Sequence, residues 1–583
     1  MKNKGIVFRY IWRYKFRYLI GLVTLFLVDY FNLNIPQIIG EITDGLVAYS
    51  LDINGLIALI IKLLCVAFGI SLGRVMWRVF IFGTSRMIEN GIRNDLFRKL
   101  EDLSPRYFNT HKTGDLMTHF TNDLEALRNS MGPAIITSFD AIVMTVMVLY
   151  KMMVYVDWRL TLMTLVPMSM IAIGGYYLNE MFEKRFAKKQ EAFAKMSDQV
   201  QESVSAERVI KAFVQERYQD ESFAKVNMYN LKMNMQVVKL MAVFMPALDL
   251  IIGISYAITI IFGGYLAITN QITLGRFIAF NQYLGMLIWP MIALGDSLTM
   301  FSQGRAAIGR INQVFNEVPD IVDGDSVDYT INTLNGEITI EGLTFAYNQE
   351  LKPALKDINL KIKQGETLAI LGRTGDGKTT LINLLLRLYD IDQGSIKFDG
   401  HDIKEIPLHV LRSNIAYVPQ DSYLFSDTLR NNIAFGKRNA TLEEVIEVCK
   451  DACVHDNIVD FTDGYDTVVG ERGVTLSGGQ KQRSAIARAL LKDASILILD
   501  DALSAVDTDT EDKILNNLNL KRQNKTTIMI AHRISTMKNA DHILVLDEGS
   551  VKEYGTFEEL IALNGTFKQM YDKQQLEKQI REE

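Results

Sequence analysis

Cysteine is scarce, with three in 583 residues: Cys65, Cys449 and Cys453. So few exclude a disulfide framework. Cys449 and Cys453 are a lone pair four apart on an expected helix, and helix packing accounts for them better than a metal site. A large excess of one charge is missing too. The formal net charge of −6 is small for this length and speaks against a nucleic-acid partner. A cleavage site is missing as well. The N-terminus carries Lys2, Lys4, Arg9, Arg13, Lys15 and Arg17 before apolar residues, but Asp29 follows and no small-residue site is evident. It reads as an uncleaved first membrane helix, not a signal peptide. Proline and long apolar runs are both absent from Phe82–Asp102 and Glu180–Glu216, so these basic stretches are expected to be helices outside lipid.

The chain is too long for one domain. Residues 1–310 hold most of the long apolar runs, and residues 320–583 read as a soluble α/β protein. Crossing a bilayer takes about 20 predominantly apolar residues. Six segments qualify: Tyr18–Ile39, Leu56–Phe82, Pro133–Val156, Leu160–Tyr177, Val243–Ala267 and Arg276–Leu298. Lysine and arginine crowd the N-terminus and the connections after the second and fourth segments. The loops near Ser50–Asn54, Asp157–Arg159 and Asn270–Thr273 carry almost none. Basic loops stay inside, so both termini are expected in the cytoplasm. Asp29, Asp140, Asp249 and Asp296 lie in or near apolar spans and are expected to face protein or a wet cavity. They either line a path for cationic substrates or make helix–helix hydrogen bonds, the latter favoured for Asp296. The methionines of this half suit a promiscuous apolar cavity or ordinary packing.

A polar stretch, 316–336, separates the halves, giving domains 1–315, 316–336 (linker) and 337–583. In the second half, an apolar run from Thr367 to Leu371 meets Gly372-Arg373-Thr374-Gly375-Asp376-Gly377-Lys378-Thr379-Thr380, and a helix is expected from Leu381. This is the G-x-x-x-x-G-K-T phosphate loop in its strand–loop–helix setting. Backbone N–H groups and a helix N-terminus would cradle ATP phosphates. Lys378 would reach the β- and γ-phosphates, and Thr379 would hold Mg²⁺. Downstream, Leu476-Ser477-Gly478-Gly479-Gln480 opens a helix with a hydroxyl and glycine N–H groups at its positive end, a second anion site. An apolar strand from Ser495 ends at Asp500, followed by Asp501, and the strand Ile528–Ile530 leads to His532.

Together these motifs resemble those of the ABC exporters, over essentially the whole chain. The resemblance implies a multi-domain fold: an all-α, six-helix transmembrane domain of the type I exporter kind, then an α/β phosphate-loop ATPase. It implies that Tyr347, 25 residues before Gly372, stacks on adenine. It gives Gln420, in Tyr417-Val418-Pro419-Gln420, to Mg²⁺ and the attacking water, Asp500 to Mg²⁺, and His532 to the γ-phosphate. Ser504-Ala505-Val506-Asp507 resembles the loop that crosses the dimer interface. Ser477, Gly478, Gly479 and Gln480 are expected to close on ATP held by a partner chain. Residues near Pro105–His111 and Ala206–Phe213 resemble the coupling helices. Val469-Gly470-Glu471-Arg472-Gly473 resembles the exporter-specific loop, with Val468 standing where glutamate is usual.

The family usually has glutamate at position 501. Aspartate is shorter by one methylene, so this chain's own site is expected to bind ATP and hydrolyse it poorly. That pattern resembles the BmrC-type half of heterodimeric bacterial multidrug exporters. The implied protein is a multi-pass subunit of a bacterial cell membrane, with ATP and Mg²⁺ as cofactors. Its implied partners are a second half-transporter, the bilayer, and hydrophobic or cationic drugs. A homodimeric lipid or peptide exporter, or an ATP-gated channel or regulator that does not pump, are the alternatives.

Overall fold

A computed structural model describes residues 5–348, 352–470, 473, 475–531, 533 and 537–582, the side chains of 171–180 and 577–582 excepted. The chain forms two compact units. One contains Met1–Glu101 with Lys112–Glu317, and the other Asp102–His111 with Val318–Glu583.

The first unit is helical. Among the described residues, five helical stretches are long and apolar enough to cross a membrane: Lys15–Val47, Ile53–Asp102, Thr113–Val156, Glu216–Ile268 and Leu274–Asn316. The expected segment Leu160–Tyr177 begins a further helix, Trp158–Ser205. At 1.5 Å per residue, the 50 residues of Ile53–Asp102 run about 75 Å, far beyond a hydrocarbon core of about 30 Å. The long basic connections are therefore continuous with the apolar spans. Helix Ile53–Trp77 buries only Ile70, and Leu64, Phe68 and Leu72 are exposed, as a lipid-facing helix requires.

Each of the three short loops that carry almost no basic residues ends in a side-chain cap. Asp52 accepts from the Gly55 N–H, Asp157 from Arg159 and Leu160, and Thr273 from Arg276. These residues start the next helix by satisfying its first free donors. Two cores hold the unit. One gathers Leu33, Val148, Met152, Phe280, Tyr283 and Leu287, and the other Tyr18, Ile88, Ile92, Leu124 and Ile311. Glycines bring the first and last of the long helices together. A Cβ on Gly275 would lie 2.1 Å from the Gly40 carbonyl oxygen, so only glycine fits. Beside them, the Asp44 carboxylate accepts from the Thr273 hydroxyl and the Gly275 N–H, both at 2.6 Å.

Of the four acidic residues in the apolar spans, Asp29 is buried and its carboxyl meets that of Asp140, which is half-buried. Asp249 and Asp296 are exposed on this chain. The segment Glu207–Ala212 is a short helix that buries none of its residues and leaves Val209 and the following Phe213 exposed.

The second unit is an α/β domain with two sheets. Strands β1 (Ile338–Phe345), β2 (Leu355–Ile362), β4 (Gln393–Phe398) and β5 (His401–Asp402) form an antiparallel sheet in the order β2-β1-β4-β5. Strands β3 (Thr367–Leu371), β6 (Ile415–Val418), β7 (Ile496–Asp500), β8 (Thr526–Ile530), β9 (His542–Asp547) and β10 (Ser550–Gly555) form the central sheet, ordered β10-β9-β3-β8-β7-β6. It is parallel except for β10 at the edge. Successive side chains of its strands point to opposite faces. Leu368, Ile370, Ile496, Ile498 and Ile528 join one core, and Ala369, Leu371, Leu497, Leu499 and Met529 the other. Both faces are covered, which is why these strands read as unbroken apolar runs. Parallel strands put their C-terminal ends on one rim, and Leu371, Val418, Asp500 and Ile530 all end there.

Candidate nucleotide site

The phosphate loop leaves β3 at the centre of that rim. Gly375 and Gly377 have φ of +96° and +92°, and a Cβ on Gly377 would lie 2.6 Å from the Ala354 carbonyl oxygen. Gly377 caps the helix Lys378–Leu385, whose positive end faces back into the loop. Lys378 is buried, and its Nζ donates to the carbonyls of Gly372 and Arg373, both at 2.8 Å. Burial lowers its pKa, although Asp376, Asp500 and Asp501 oppose this. Asp376 faces inward. Its carboxylate accepts from the N–H of Arg373 at 2.5 Å and of Glu548 at 3.2 Å, stapling the loop shut. Arg373 and Thr374 are exposed on the loop's outer side.

Thr379 and Asp500 meet across the loop, with the hydroxyl donating to Asp500 Oδ1 at 3.4 Å. The Tyr417 hydroxyl donates to Oδ2 at 3.5 Å. Burial raises the pKa of Asp500 and the neighbouring Asp501 adds to this, while the two hydroxyls and Lys378 work against it. Gln420 is exposed just past the end of β6. Tyr347 follows β1, and its hydroxyl shares a 3.0 Å hydrogen bond with Thr380 Oγ1. More than a third of the residue's surface is exposed.

Asp501 has φ of +50°, a left-handed conformation that aspartate adopts far more readily than most side chains. Three contacts hold it there. Its N–H donates to the Ile530 carbonyl, and its carbonyl accepts from Ser504 Oγ at 3.0 Å and Gln482 Nε2 at 3.4 Å. It borders a cavity of about 170 Å³ with Ser504, Glu511, Met529 and Arg533. His532, Glu471 and Arg472 lie outside the described residues.

Ser477 and Gln480 form a capping box at the head of the helix Gly478–Leu491. The Gln480 N–H donates to Ser477 Oγ, and the Ser477 N–H to Gln480 Oε1. Gly478 and Gly479 face Ala505, and a Cβ on Gly479 would lie 2.8 Å from its carbonyl oxygen. Thus the structure gathers Tyr347, Lys378, Thr379, Thr380, Asp500 and Asp501 around the rim. It sets Ser477–Gln480 against Ala505 instead.

Sequence reasoning passed over three residues. Gln482 is buried and uses both ends of its amide: it accepts from the Ala505 N–H at 2.9 Å and donates to Ser504 Oγ at 3.0 Å. Its place two residues after the signature was the available signal. Arg533 binds the Glu511 carboxylate and the Val506 carbonyl. Tyr389, in Arg387-Leu388-Tyr389-Asp390, carried no local signal at all.

Comparison with known proteins agrees with this architecture. Residues 18–291 match the ABC transporter transmembrane region, and residues 355–504 match the ABC transporter family. The chain is 37% identical, over 99% of its length and 98% of the relative's, to the probable multidrug resistance ABC transporter ATP-binding/permease protein YheI of Bacillus subtilis. It is 39% identical to the multidrug resistance-like ATP-binding protein MdlA of Escherichia coli, covering 98% and 96%. It is 36% identical to an ATP-dependent lipid A-core flippase of Syntrophus aciditrophicus, covering 84% and 81%. A solved bacterial Atm1-family ABC exporter with ATP bound superposes with a TM-score of 0.78 at 26% identity, covering 96% of this chain and 99% of that one. The chain thus belongs to the ABC transporter family and has the type I exporter fold, a membrane-spanning helical region followed by the ATPase domain that drives transport.

Proposed function

We propose that this chain is one half of a two-chain bacterial exporter of hydrophobic or cationic small molecules, and that its own ATP site binds ATP but cleaves it slowly. Asp501 carries the reading. A general base must lie within hydrogen-bonding distance of its proton. Aspartate falls short of glutamate by about 1.5 Å, and a misplacement of about 1 Å can cost 10²-fold. The backbone at Asp501 is held by hydrogen bonds on both sides, so it does not shift to make up the difference. The intact capping box at Ser477–Gln480 supports a second role, completing the competent site on the partner.

At this chain's site, Lys378 exchanges two loop carbonyls for β- and γ-phosphate oxygens. Thr379 and Asp500, which meet at 3.4 Å, would hold Mg²⁺ with the oxygen donors that suit it. When bound, the ion neutralises phosphate charge. Gln420 and His532 are assigned to the water and the γ-phosphate by family position. Tyr347 offers a ring face to adenine. The basic connections and the three short loops favour a cytoplasmic side for both termini and the ATPase domain. Residues near Pro105–His111 and Ala206–Phe213 act as coupling segments. Asp29, with Asp140 beside it, is the acidic residue best placed inside the helical unit to meet a cation. The multidrug names of two relatives favour drugs as substrates, and the flippase relative keeps a lipid substrate as the second reading.

ATPase turnover of the purified chain, alone and with a co-expressed half-transporter from the neighbouring reading frame, tests the pairing. The chain alone is expected to turn over slowly and the complex fast, with ATP-driven dye accumulation in inverted vesicles. Turnover of the lone chain equal to the complex would refute it.

A further inference from the structure

Tyr389 is nearly fully buried and lies four residues past the end of the helix that the phosphate loop opens. Its ring stands edge-on to that of Tyr347, with centroids 5.1 Å apart and planes at 88°. Phe345 closes the triangle, 5.1 Å from Tyr347 and 5.9 Å from Tyr389. Edge-to-face packing of this kind fixes ring orientation as well as position. Tyr347 would otherwise be held mainly by its hydroxyl at Thr380, since its outer face is open. The Tyr389 hydroxyl points the other way, accepting from Asn109 Nδ2 at 2.8 Å.

Asn109 belongs to the helix Pro105–Thr110, in the segment 102–111 that packs with the ATPase unit although the chain on either side of it belongs to the helical unit. The same segment is moored at its start, where Ser104 Oγ donates to Asp320 Oδ2 at 3.1 Å and Arg106 pairs with that carboxylate. The Asn109–Tyr389 bond is its hold near the other end. One side chain therefore touches both the ring offered to adenine and the segment continuous with the membrane helices.

We infer that Tyr389 is a positioning residue of the nucleotide site: its ring edge sets Tyr347 against the adenine base, and its hydroxyl reports the position of that ring to Asn109 in the 102–111 segment. The inference rests on the adenine role of Tyr347 and predicts separable effects of the ring and the hydroxyl. Tyr389→Phe keeps the edge contact and loses the Asn109 bond. Tyr389→Leu loses both.

The test uses the full chain. ATP affinity is measured by equilibrium binding without Mg²⁺, alongside competition by inorganic tripolyphosphate, which occupies the phosphate loop but has no base. Trypsin cleavage at Arg106 and Lys112, with and without ATP, reads the segment. Tyr389→Leu is expected to weaken ATP by about 2- to 10-fold, the range of an aromatic pair, and to leave tripolyphosphate unchanged. Tyr389→Phe should bind ATP normally but lose the effect of ATP on cleavage, as should Asn109→Ala, with no further loss in the double variant. Equal weakening of ATP and tripolyphosphate by Tyr389→Leu would reduce the residue to a packing role and overturn the inference. So would a Tyr389→Phe chain that keeps its ATP-dependent cleavage. If Tyr347→Leu binds ATP normally, the adenine reading itself fails and the inference with it. If Tyr347→Leu weakens ATP and Tyr389→Leu does not, only the inference fails.

Discussion

Replacing Asp501 by glutamate should speed hydrolysis at this chain's own site by about 100-fold. The added methylene restores about 1.5 Å of reach, and a misplacement of about 1 Å is associated with a loss of 10²-fold. The left-handed backbone, with φ of +50°, bears on stability and not on the rate. Aspartate is enriched in this region and glutamate is not, so the longer residue meets an extra strain of about 1 kcal/mol. That strain is the same before and during the reaction and cancels from the barrier. It cannot relax by turning the peptide, because the Asp501 N–H is committed to Ile530 and its carbonyl to Ser504 and Gln482. The assay is single-turnover phosphate release from the two-chain complex, with the partner's own hydrolytic acid changed to its amide so that only this site counts. Asp501→Asn serves as the control and should abolish the residual rate. A glutamate variant that binds ATP and releases phosphate no faster than the native complex would refute the reasoning. So would an asparagine variant as active as aspartate.

Other perturbations probe the rest of the site. Asp376→Ala removes an inward carboxylate that accepts two N–H groups and should lower stability by about 1.5–3 kcal/mol in denaturant unfolding. If the loop survives, ATP should bind tighter, because a negative charge beside the phosphates is gone. Gln482→Glu keeps the acceptor for Ala505 and loses the donor to Ser504 and Asp501. It should lower kcat of the complex with little change in KM, and an unchanged kcat would remove Gln482 from the mechanism. Burial pushes the Cys449 thiol from near 9 up to about 12, against a hydrogen bond with Tyr465. The native chain therefore holds that proton where the unfolded chain has lost it, and stability should fall as pH rises above about 9. At pH 8 a maleimide should modify Cys449 only after unfolding.

The rim of the central sheet was legible because its motifs are local. A strand, a glycine loop and a helix stand within twenty residues, and the capping box of Ser477 and Gln480 spans four. The membrane spans were legible from apolar length, whereas the caps of their loops came only with the structure. What escaped depends on residues far apart in the chain. Asn109 and Tyr389 are 280 positions apart, and nothing near either one marks the other. Asp376 fits the phosphate-loop spacing as any residue would, and only the fold turns its carboxylate inward, onto Arg373 and Glu548. The left-handed backbone at Asp501 was equally silent. Aspartate there reads as a shortened glutamate, whereas the fold gives it a second qualification, tolerance of an unusual φ.

The contact of Gly40 with Gly275 carries a mechanical consequence. Two backbones at this distance form a key in a slot. Sliding either helix along the other by one residue would drive a side chain into a carbonyl oxygen, and Asp44 pins the same level with two 2.6 Å bonds. The first and last membrane helices are thus clasped at the level of Gly40 and Gly275. A motion that keeps this contact must carry both helices together at that level, and Gly275→Ala, which drives a Cβ into the Gly40 carbonyl, should force them apart.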